Sequence, residues 1–289
     1  MKIAVTGAEG QLGTELCRQL GGEAVGLDLP GFDLTDRDRV LGTLAEIRPR
    51  AVINTAAYTQ VDRAENEVEA CRAVNADGVD HLVETCRELD CTLLQLSTDY
   101  VFGGETGRRT PYRETDPPDP QGVYARTKLE GERHAARWQK HFIVRTCGLY
   151  GPPGRRSSGN FVETMLRLAS SRQDLRVVGD QRCTPSYVPH VARAIRFLLG
   201  TVAYGTYHVV NSGETTWYDL AGEVFRLTGT EVRLEPISTA QYGAPAPRPS
   251  YSVLDTGKYH ALPGRPAMPT WQEAVAEYLH ARPPGRSGS

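Results

Sequence analysis

A tyrosine and a lysine, Tyr124 and Lys128, stand four residues apart in the segment QGVYARTKLEGE, which covers residues 121–132. If this segment is a helix, both side chains face the same way, because residues i and i+4 are neighbours on a helix surface. A lysine ammonium beside a phenol lowers the ordinary phenol pKa of about 10 and favours proton transfer near neutral pH. An ordinary solvent-facing helix shows the same spacing, so the pair alone does not decide between these interpretations.

A third chemical group, the hydroxyl of Thr98, ends the apolar run TLLQLST at residues 92–98. Open α/β sheets bind their ligands at the carboxyl ends of the strands, so this hydroxyl is placed to meet a substrate carbonyl. A threonine selected only for its strand propensity is the alternative.

A glycine-rich loop follows the first predicted strand directly. Gly7, Gly10 and Gly13 have the spacing G-x-x-G-x-x-G, which permits a tight turn and close approach of backbone N–H groups to a pyrophosphate. A purely structural turn is the alternative, but the position between a strand and a helix favours dinucleotide binding.

The second predicted strand, AVGLDL, ends in Asp28. An acid at this position hydrogen-bonds the adenine ribose of NAD and repels a 2′-phosphate, whereas Arg18 and Arg37 are candidates to bind such a phosphate. The sequence therefore favours NADH slightly and leaves NADPH open. Asp33 and Leu34 are candidates to contact the adenine, although a helix N-cap at Thr35 or Asp36 explains the same residues.

The elements that must position these groups alternate between short apolar runs and longer amphipathic segments. This alternation predicts an α/β fold with a Rossmann-type, doubly wound parallel sheet. We expect a dinucleotide-binding domain over residues 1–150 and a smaller C-terminal substrate-binding portion over 151–280. Strands from about 176–210 are candidates to return to the main sheet, and residues 281–289 have the composition of a disordered tail.

The composition excludes several classes of protein. The 289 residues are 39% hydrophobic and 24% charged, and the formal net charge is −2, so nucleic acid is not an expected partner. No signal sequence or membrane-spanning run is apparent, which favours a cytoplasmic protein. The six cysteines lack the spacing of a zinc site and are expected to be reduced and mostly buried.

Several motifs occur together, in one order, through almost the whole chain. They are GAEGQLG at 7–13, NTAAYTQVDRAE at 54–65, VNADG at 74–78, LSTDYVF at 96–102, YARTK at 124–128, RTCGLYG at 145–151, NFVETMLRLA at 160–169 and APRPSYSVLDTGK at 246–258. On these motifs the chain resembles the extended short-chain dehydrogenase/reductase superfamily, and within it the dTDP-4-dehydrorhamnose reductases. The resemblance implies NAD(P)H-dependent reduction of the 4-keto group of a nucleoside-diphosphate 6-deoxy-4-ketohexose, with dTDP as the expected nucleotide.

The resemblance also implies roles for individual residues. Thr98 polarises the carbonyl, Tyr124 is the general acid, and Lys128 favours the phenolate and binds the cofactor ribose, while the nicotinamide supplies the hydride. The implied cofactor contacts are Gly7, Gly10, Gln11, Leu12, Gly13, Asp28, Asp33, Leu34, Ala56, Ala57, Tyr58, Tyr124 and Lys128. Asp62 and Glu65 lie near this set, with a solvated first helical turn as the alternative.

The implied substrate contacts are Thr98, Asp99, Gly148 and Arg248, the last of these toward the nucleotide phosphates. The dehydratases of the superfamily carry Asp-Glu after the threonine, whereas here the pair is Asp99 and Tyr100, so simple reduction is favoured. The reductases usually have a tryptophan where this chain has Gly148, and its loss predicts room for a different or larger sugar. We assign no metal, although Glu15 lies where some relatives bind Mg²⁺ between subunits.

Two other functions stay open. A non-catalytic regulatory subunit retains the cofactor fold in some relatives, and a nucleotide-sugar epimerase uses the same three catalytic residues. A homodimer is a further expectation.

Overall fold

The computed structural model describes residues 1–156 and 159–282. Its strands are β1 (Ile3–Thr6), β2 (Ala24–Leu27), β3 (Ala51–Asn54), β4 (Thr92–Thr98), β5 (His141–Thr146), β6 (Leu149–Tyr150), β7 (Asp174–Val178), β8 (Arg182–Cys183), β9 (Ser186–Tyr187), β10 (Gly205–His208), β11 (Thr215–Thr216) and β12 (Arg233–Ile237). Its α-helices are α1 (Gln11–Leu20), α2 (Arg37–Ile47), α3 (Val61–Ala64), α4 (Val68–Arg72), α5 (Gly78–Glu88), α6 (Val123–Ala135), α7 (Phe161–Ala169), α8 (Val188–Leu198), α9 (Trp217–Thr228), α10 (Thr239–Tyr242), α11 (Gly257–His260) and α12 (Trp271–Ala281).

A six-stranded sheet in the order β2-β1-β3-β4-β5-β10 forms the centre of the molecule, and every pairing in it is parallel. The strand order reverses between β1 and β3, which is the switch point where open α/β sheets bind ligands. The predicted doubly wound α/β fold is therefore confirmed. Strand β10 lies at residues 205–208, so the chain returns to this sheet after leaving it. The division into domains at residue 150 stays a prediction.

Both faces of the sheet are buried, because successive side chains of a strand point to opposite faces. Ile3 and Val5 of β1 pack on one side with α1 and α8, whereas Ala4 packs on the other with α2 and α5. Helices cover both faces as a result, and the carboxyl edge of the sheet stays open for a ligand.

A second apolar core lies in the C-terminal half. Helices α7, α9 and α12 contribute to it, together with β7, which pairs in parallel with β12. Helix α12 ends at Ala281, the first residue of the predicted tail at 281–289, and residues 283–289 of that tail lie outside the described residues. In the described ranges, no helix has the length and apolar character needed to cross a membrane.

Candidate active site

A cavity of about 730 Å³ opens at the carboxyl edge of the parallel sheet. Fifteen of the predicted site residues line it: Gly7, Gly10, Gln11, Leu12, Gly13, Asp28, Asp33, Leu34, Ala56, Ala57, Tyr58, Thr98, Tyr124, Lys128 and Gly148. The structure thus brings together the glycine loop and the three predicted catalytic side chains, which lie far apart in the sequence.

The glycine loop has a shape that only glycine permits. Gly7 adopts a positive φ of 67°, and a Cβ there would lie 2.6 Å from the backbone nitrogen of Ala56. A Cβ on Gly13 would lie 2.1 Å from the carbonyl oxygen of Gly7. Helix α1 begins just after Gly10, whose cap position has no side chain to bind the free N–H groups. The bare amino end of a helix attracts anions, so this cradle fits the pyrophosphate of a dinucleotide.

Asp28 lies at the end of β2 beside this loop. Its carboxylate accepts hydrogen bonds from the backbone nitrogens of Glu9 and Leu29, both at 2.8 Å. The guanidinium of Arg156 lies 3.8 Å from the same carboxylate and donates to the carbonyl of Leu29 at 3.0 Å. One cavity wall thus presents an anionic and a cationic side chain where the adenosine ribose of a dinucleotide is expected.

The two arginines that the sequence offered for a 2′-phosphate are engaged elsewhere. Arg18 pairs with Glu15 at 2.6 Å and Arg37 pairs with Glu84 at 2.8 Å. Glu15 also accepts a hydrogen bond from Gln19. Within the residues described, no group of three or more His, Cys, Asp or Glu side chains has an arrangement suited to a metal ion.

Asp33 and Leu34 line the cavity at the same end. The Asp33 carboxylate accepts from both the backbone nitrogen and the hydroxyl of Thr35, while Leu34 is buried. The N-cap of α2 is Asp36, as the alternative interpretation of this segment allowed.

The loop with Ala56, Ala57 and Tyr58 is held in place by buried amides. Asn75 accepts a hydrogen bond from the backbone nitrogen of Tyr58 at 2.9 Å and donates to its carbonyl at 3.2 Å. Asn54 accepts from the backbone nitrogen of Ala56 at 3.2 Å. These hydrogen bonds fix the backbone of the loop against the sheet and the following helix.

Helix α6, which carries Tyr124 and Lys128, is anchored at its amino end by Glu65. The Glu65 carboxylate accepts from the backbone nitrogen of Val123 at 2.8 Å, which satisfies a free donor of the first turn. One turn beyond Lys128, Glu132 forms a buried, two-pronged ion pair with Arg145 of β5, with distances of 2.9 and 2.7 Å. The helix is therefore fixed against the sheet on both sides of the catalytic residues.

Tyr124 meets Thr98 at the end of β4. The phenol lies near the Thr98 hydroxyl, and its ring packs edge-on against Tyr100 at 6.0 Å. Burial raises the pKa of Tyr124, and the neighbouring Thr98 hydroxyl opposes this shift. In the protein alone the phenol therefore carries its proton, as a general acid requires.

Lys128 is buried, and its Nζ donates to the carbonyl oxygen of Leu96 at 2.7 Å. Burial lowers the pKa of this ammonium to about 8, against the attraction of Glu132. The sequence suggested that Lys128 lowers the pKa of Tyr124, whereas burial raises that pKa and Lys128 is not among the groups that shift it.

Two predicted substrate residues do not line the cavity. Asp99 is buried behind Thr98, where Ser252 donates to its carboxyl at 2.5 Å. Arg248 forms an ion pair with Asp62 at 3.0 Å, and the backbone nitrogen of Ala246 donates to the same carboxylate at 3.2 Å.

Gly148 lines the cavity, but the space beside it is filled. A Cβ at this position would lie 2.8 Å from Cη2 of Trp217 and 3.3 Å from Cα of Pro185. The absence of a tryptophan at position 148 predicted extra space for the sugar. The indole of Trp217, from α9, occupies part of that space.

Polar residues that the sequence did not single out also line the cavity: Thr55, Thr59, Gln60, Ser97, Thr146 and Arg156. All of them except Arg156 lie within the motifs at 54–65, 96–102 and 145–151, so membership of those motifs could have identified them as candidate lining residues. No sequence pattern identified Arg156, because only the folded chain places residues 151–156 against the glycine loop. There the backbone N–H of Arg156 donates to the carbonyl oxygen of Glu9.

The dinucleotide cradle and the Thr98, Tyr124 and Lys128 group at one sheet edge define an NAD(P)-dependent oxidoreductase of the extended short-chain dehydrogenase/reductase type. The chain belongs to the family described as RmlD substrate binding domain, whose model matches residues 1–282. Both the predicted resemblance and the predicted enzyme class are confirmed.

Individual relatives span nearly the full length. The dTDP-4-dehydrorhamnose reductase of Streptomyces griseus is 41% identical over 288 residues, which cover 96% of this chain and 92% of that protein. A probable dTDP-4,6-dihydroxy-2-methyloxan-3-one 4-ketoreductase of Streptomyces antibioticus is 38% identical over the whole of both chains. The crystal structure of dTDP-4-dehydrorhamnose reductase from Bacillus anthracis strain Ames, in complex with NADP, is 37% identical with a TM-score of 0.92 and covers 98% of this chain and 100% of that one.

Proposed function

We propose that this protein reduces the 4-keto group of a dTDP-linked 6-deoxy-4-ketohexose with NADH or NADPH. The single observation that supports this most is the convergence of Thr98, Tyr124 and Lys128 on the cavity that also contains the glycine cradle. The relatives named as dTDP-sugar reductases support the substrate class.

The glycine loop and the amino end of α1 would hold the pyrophosphate, and Asp28 would hold the adenosine ribose. Ala56, Ala57 and Tyr58 would form the wall along the dinucleotide, and Lys128 would bind the ribose next to the nicotinamide. When bound, the reduced nicotinamide supplies a hydride to the carbonyl carbon.

The proton for the carbonyl oxygen comes from Tyr124. The Thr98 hydroxyl, in contact with the Tyr124 phenol, hydrogen-bonds the same oxygen and polarises the carbonyl. As negative charge develops on the oxygen, Thr98 stabilises it and Tyr124 neutralises it.

The proposal keeps Arg248 as a contact of the nucleotide phosphates, because the planar fork of an arginine binds diphosphates. Both terminal nitrogens of Arg248 donate to the Asp62 carboxylate, so this role would require Arg248 to exchange that partner. A diphosphate that takes the place of Asp62 would bring Arg248 into the substrate site.

The test is to incubate the purified protein with NADH or NADPH and dTDP-4-keto-6-deoxyhexoses, and to follow the absorbance of the reduced nicotinamide. Tyr124→Phe should keep cofactor affinity and lose about 10²- to 10⁴-fold in turnover, because it removes only the acidic proton. Arg126→Ala, two residues further along on the exposed side of α6, is the matched control and should behave as the wild type.

Wild-type turnover in Tyr124→Phe would contradict the assignment of the acid. Tight cofactor binding with no oxidation for any keto-sugar would indicate a binding subunit. Interconversion of sugar epimers without net consumption of reduced cofactor would indicate an epimerase. We also propose that the protein is a homodimer, which light scattering of the purified protein tests. Its proposed location is the cytoplasm, which cell fractionation tests.

A further inference from the structure

The carboxyl group of Asp99 is buried directly behind the catalytic threonine. Asp99 is only 2% exposed, and its near neighbours are uncharged groups: the hydroxyls of Thr98 and Ser252 and the thiol of Cys147. Its Oδ1 lies 3.2 Å from Oγ1 of Thr98, and its Oδ2 lies 2.5 Å from Oγ of Ser252. Asp99 therefore contacts the catalytic hydroxyl on the side away from the cavity.

The hydrogen bonds of Thr98 depend on the protonation of this neighbour. A hydroxyl has one hydrogen and two acceptor lone pairs, and the backbone nitrogen of Tyr100 already donates to one lone pair at 3.1 Å. A charged Asp99 can only accept, so it would draw the single hydrogen of Thr98 away from the cavity. A neutral Asp99 donates to the second lone pair instead and leaves that hydrogen for a carbonyl oxygen.

Ser252 determines which carboxyl oxygen carries the proton. Because the Ser252 hydroxyl donates to Oδ2, a proton on Asp99 is best placed on Oδ1, the oxygen that faces Thr98. Burial raises the pKa of Asp99, which favours the neutral form that this pattern needs.

We propose that Asp99, held by Ser252, is a positioning residue that directs the Thr98 hydrogen into the cavity. It contributes through Thr98, not by touching the sugar, and so replaces the substrate contact expected from the sequence. The inference rests on the proposed reductase activity for its kinetic test. Through Asp99 and Thr98, the C-terminal segment around Ser252 would then influence the reacting carbonyl oxygen.

The test compares Asp99→Asn with Asp99→Ala. An asparagine amide reproduces the neutral pattern, since its nitrogen donates to Thr98 and its oxygen accepts from Ser252, so kcat should stay within about tenfold of the wild type. Alanine removes the donor to Thr98, and kcat should fall by about 100-fold while KM for the sugar nucleotide and the cofactor Kd stay unchanged.

A second pair of variants addresses Ser252. Ser252→Ala removes the donor to Oδ2 and should lower kcat by an intermediate factor. Ser250→Ala, an exposed serine two positions earlier in the same segment, is the matched control and should leave kcat unchanged. Urea unfolding of each variant separates loss of stability from loss of function.

A readout that needs no turnover is infrared spectroscopy of the protein alone. The wild type should show the carbonyl stretch of a protonated, buried carboxyl group near neutral pH, and Asp99→Asn should lack it. If the wild type oxidises no reduced cofactor, the reductase proposal fails, yet this spectrum still tests the state of Asp99.

Three results would overturn the inference. One is a raised KM with normal kcat in Asp99→Ala, which would indicate direct contact with the sugar. The others are a kcat in Asp99→Asn as low as in Asp99→Ala, and the absence of the protonated carboxyl band.

Discussion

Gly148 is a glycine for two separable reasons, and replacing it with alanine should destabilise the fold through both. Its φ is +49°, a left-handed conformation that costs an L-residue about 1–2 kcal/mol. The added Cβ would also lie 2.8 Å from Cη2 of Trp217, well inside van der Waals contact. Overpacking of this kind costs about 1–3 kcal/mol, so Gly148→Ala should lose about 2–5 kcal/mol of unfolding free energy.

The two contributions can be measured separately. Gly229 has a similar φ of +63° but no heavy atom within 4 Å of an added Cβ, so Gly229→Ala should show the backbone cost alone. Trp217→Leu removes the tip of the indole, and in combination with Gly148→Ala it should recover about 1–3 kcal/mol relative to additivity. The same Trp217→Leu change should add independently to Gly229→Ala.

The assay is urea unfolding of the single and double variants, followed by far-UV circular dichroism so that the loss of a tryptophan does not affect the signal. The reasoning is refuted if Gly148→Ala costs no more than Gly229→Ala, or if its effect and that of Trp217→Leu simply add. Either result would mean that the indole does not occupy the space beside Gly148.

Two further predictions concern the cofactor. Burial lowers the pKa of Lys128 to about 8, so its amine is charged below that pH and neutral above it. Because the ammonium is expected to bind the cofactor ribose, the affinity for the cofactor should weaken as the pH rises through about 8. Cofactor binding to Lys128→Met, measured over the same pH range, should lack this dependence. Arg156 lies beside Asp28, and Arg156→Ala should raise the Kd for NADPH by roughly tenfold with a smaller change for NADH, because a guanidinium binds a 2′-phosphate. The Arg155 side chain is 81% exposed, and Arg155→Ala is the control. An equal loss of affinity for NADH and NADPH in Arg156→Ala would contradict the assignment of Arg156 to the 2′-phosphate.

The sequence predicted the fold correctly and identified a glycine loop that lines the cavity, because both depend on local patterns. Alternating strands and amphipathic helices specify a parallel sheet, and the three glycines directly follow the first strand. Thr98, Tyr124 and Lys128 were also accessible, since each stands at a strand end or in a short motif. Parallel topology then brings strand ends to one edge, so their convergence follows from the fold class.

The surroundings of the catalytic groups were not accessible in this way. Asp99 and Ser252 are 153 positions apart and Asp62 and Arg248 are 186 apart, and no periodicity in the sequence connects them. The glycine at position 148 suggested an open pocket, whereas Trp217 packs against it from another helix.

Residue types and spacing by themselves determined the elements, the cradle and the chemistry available in this protein. Only the tertiary structure decided which side chains contact the Thr98 hydroxyl, which arginine lies beside Asp28, and what fills the space beside Gly148. The physical reason is that such contacts depend on the relative placement of whole elements, which local hydrophobic periodicity and backbone propensity do not specify.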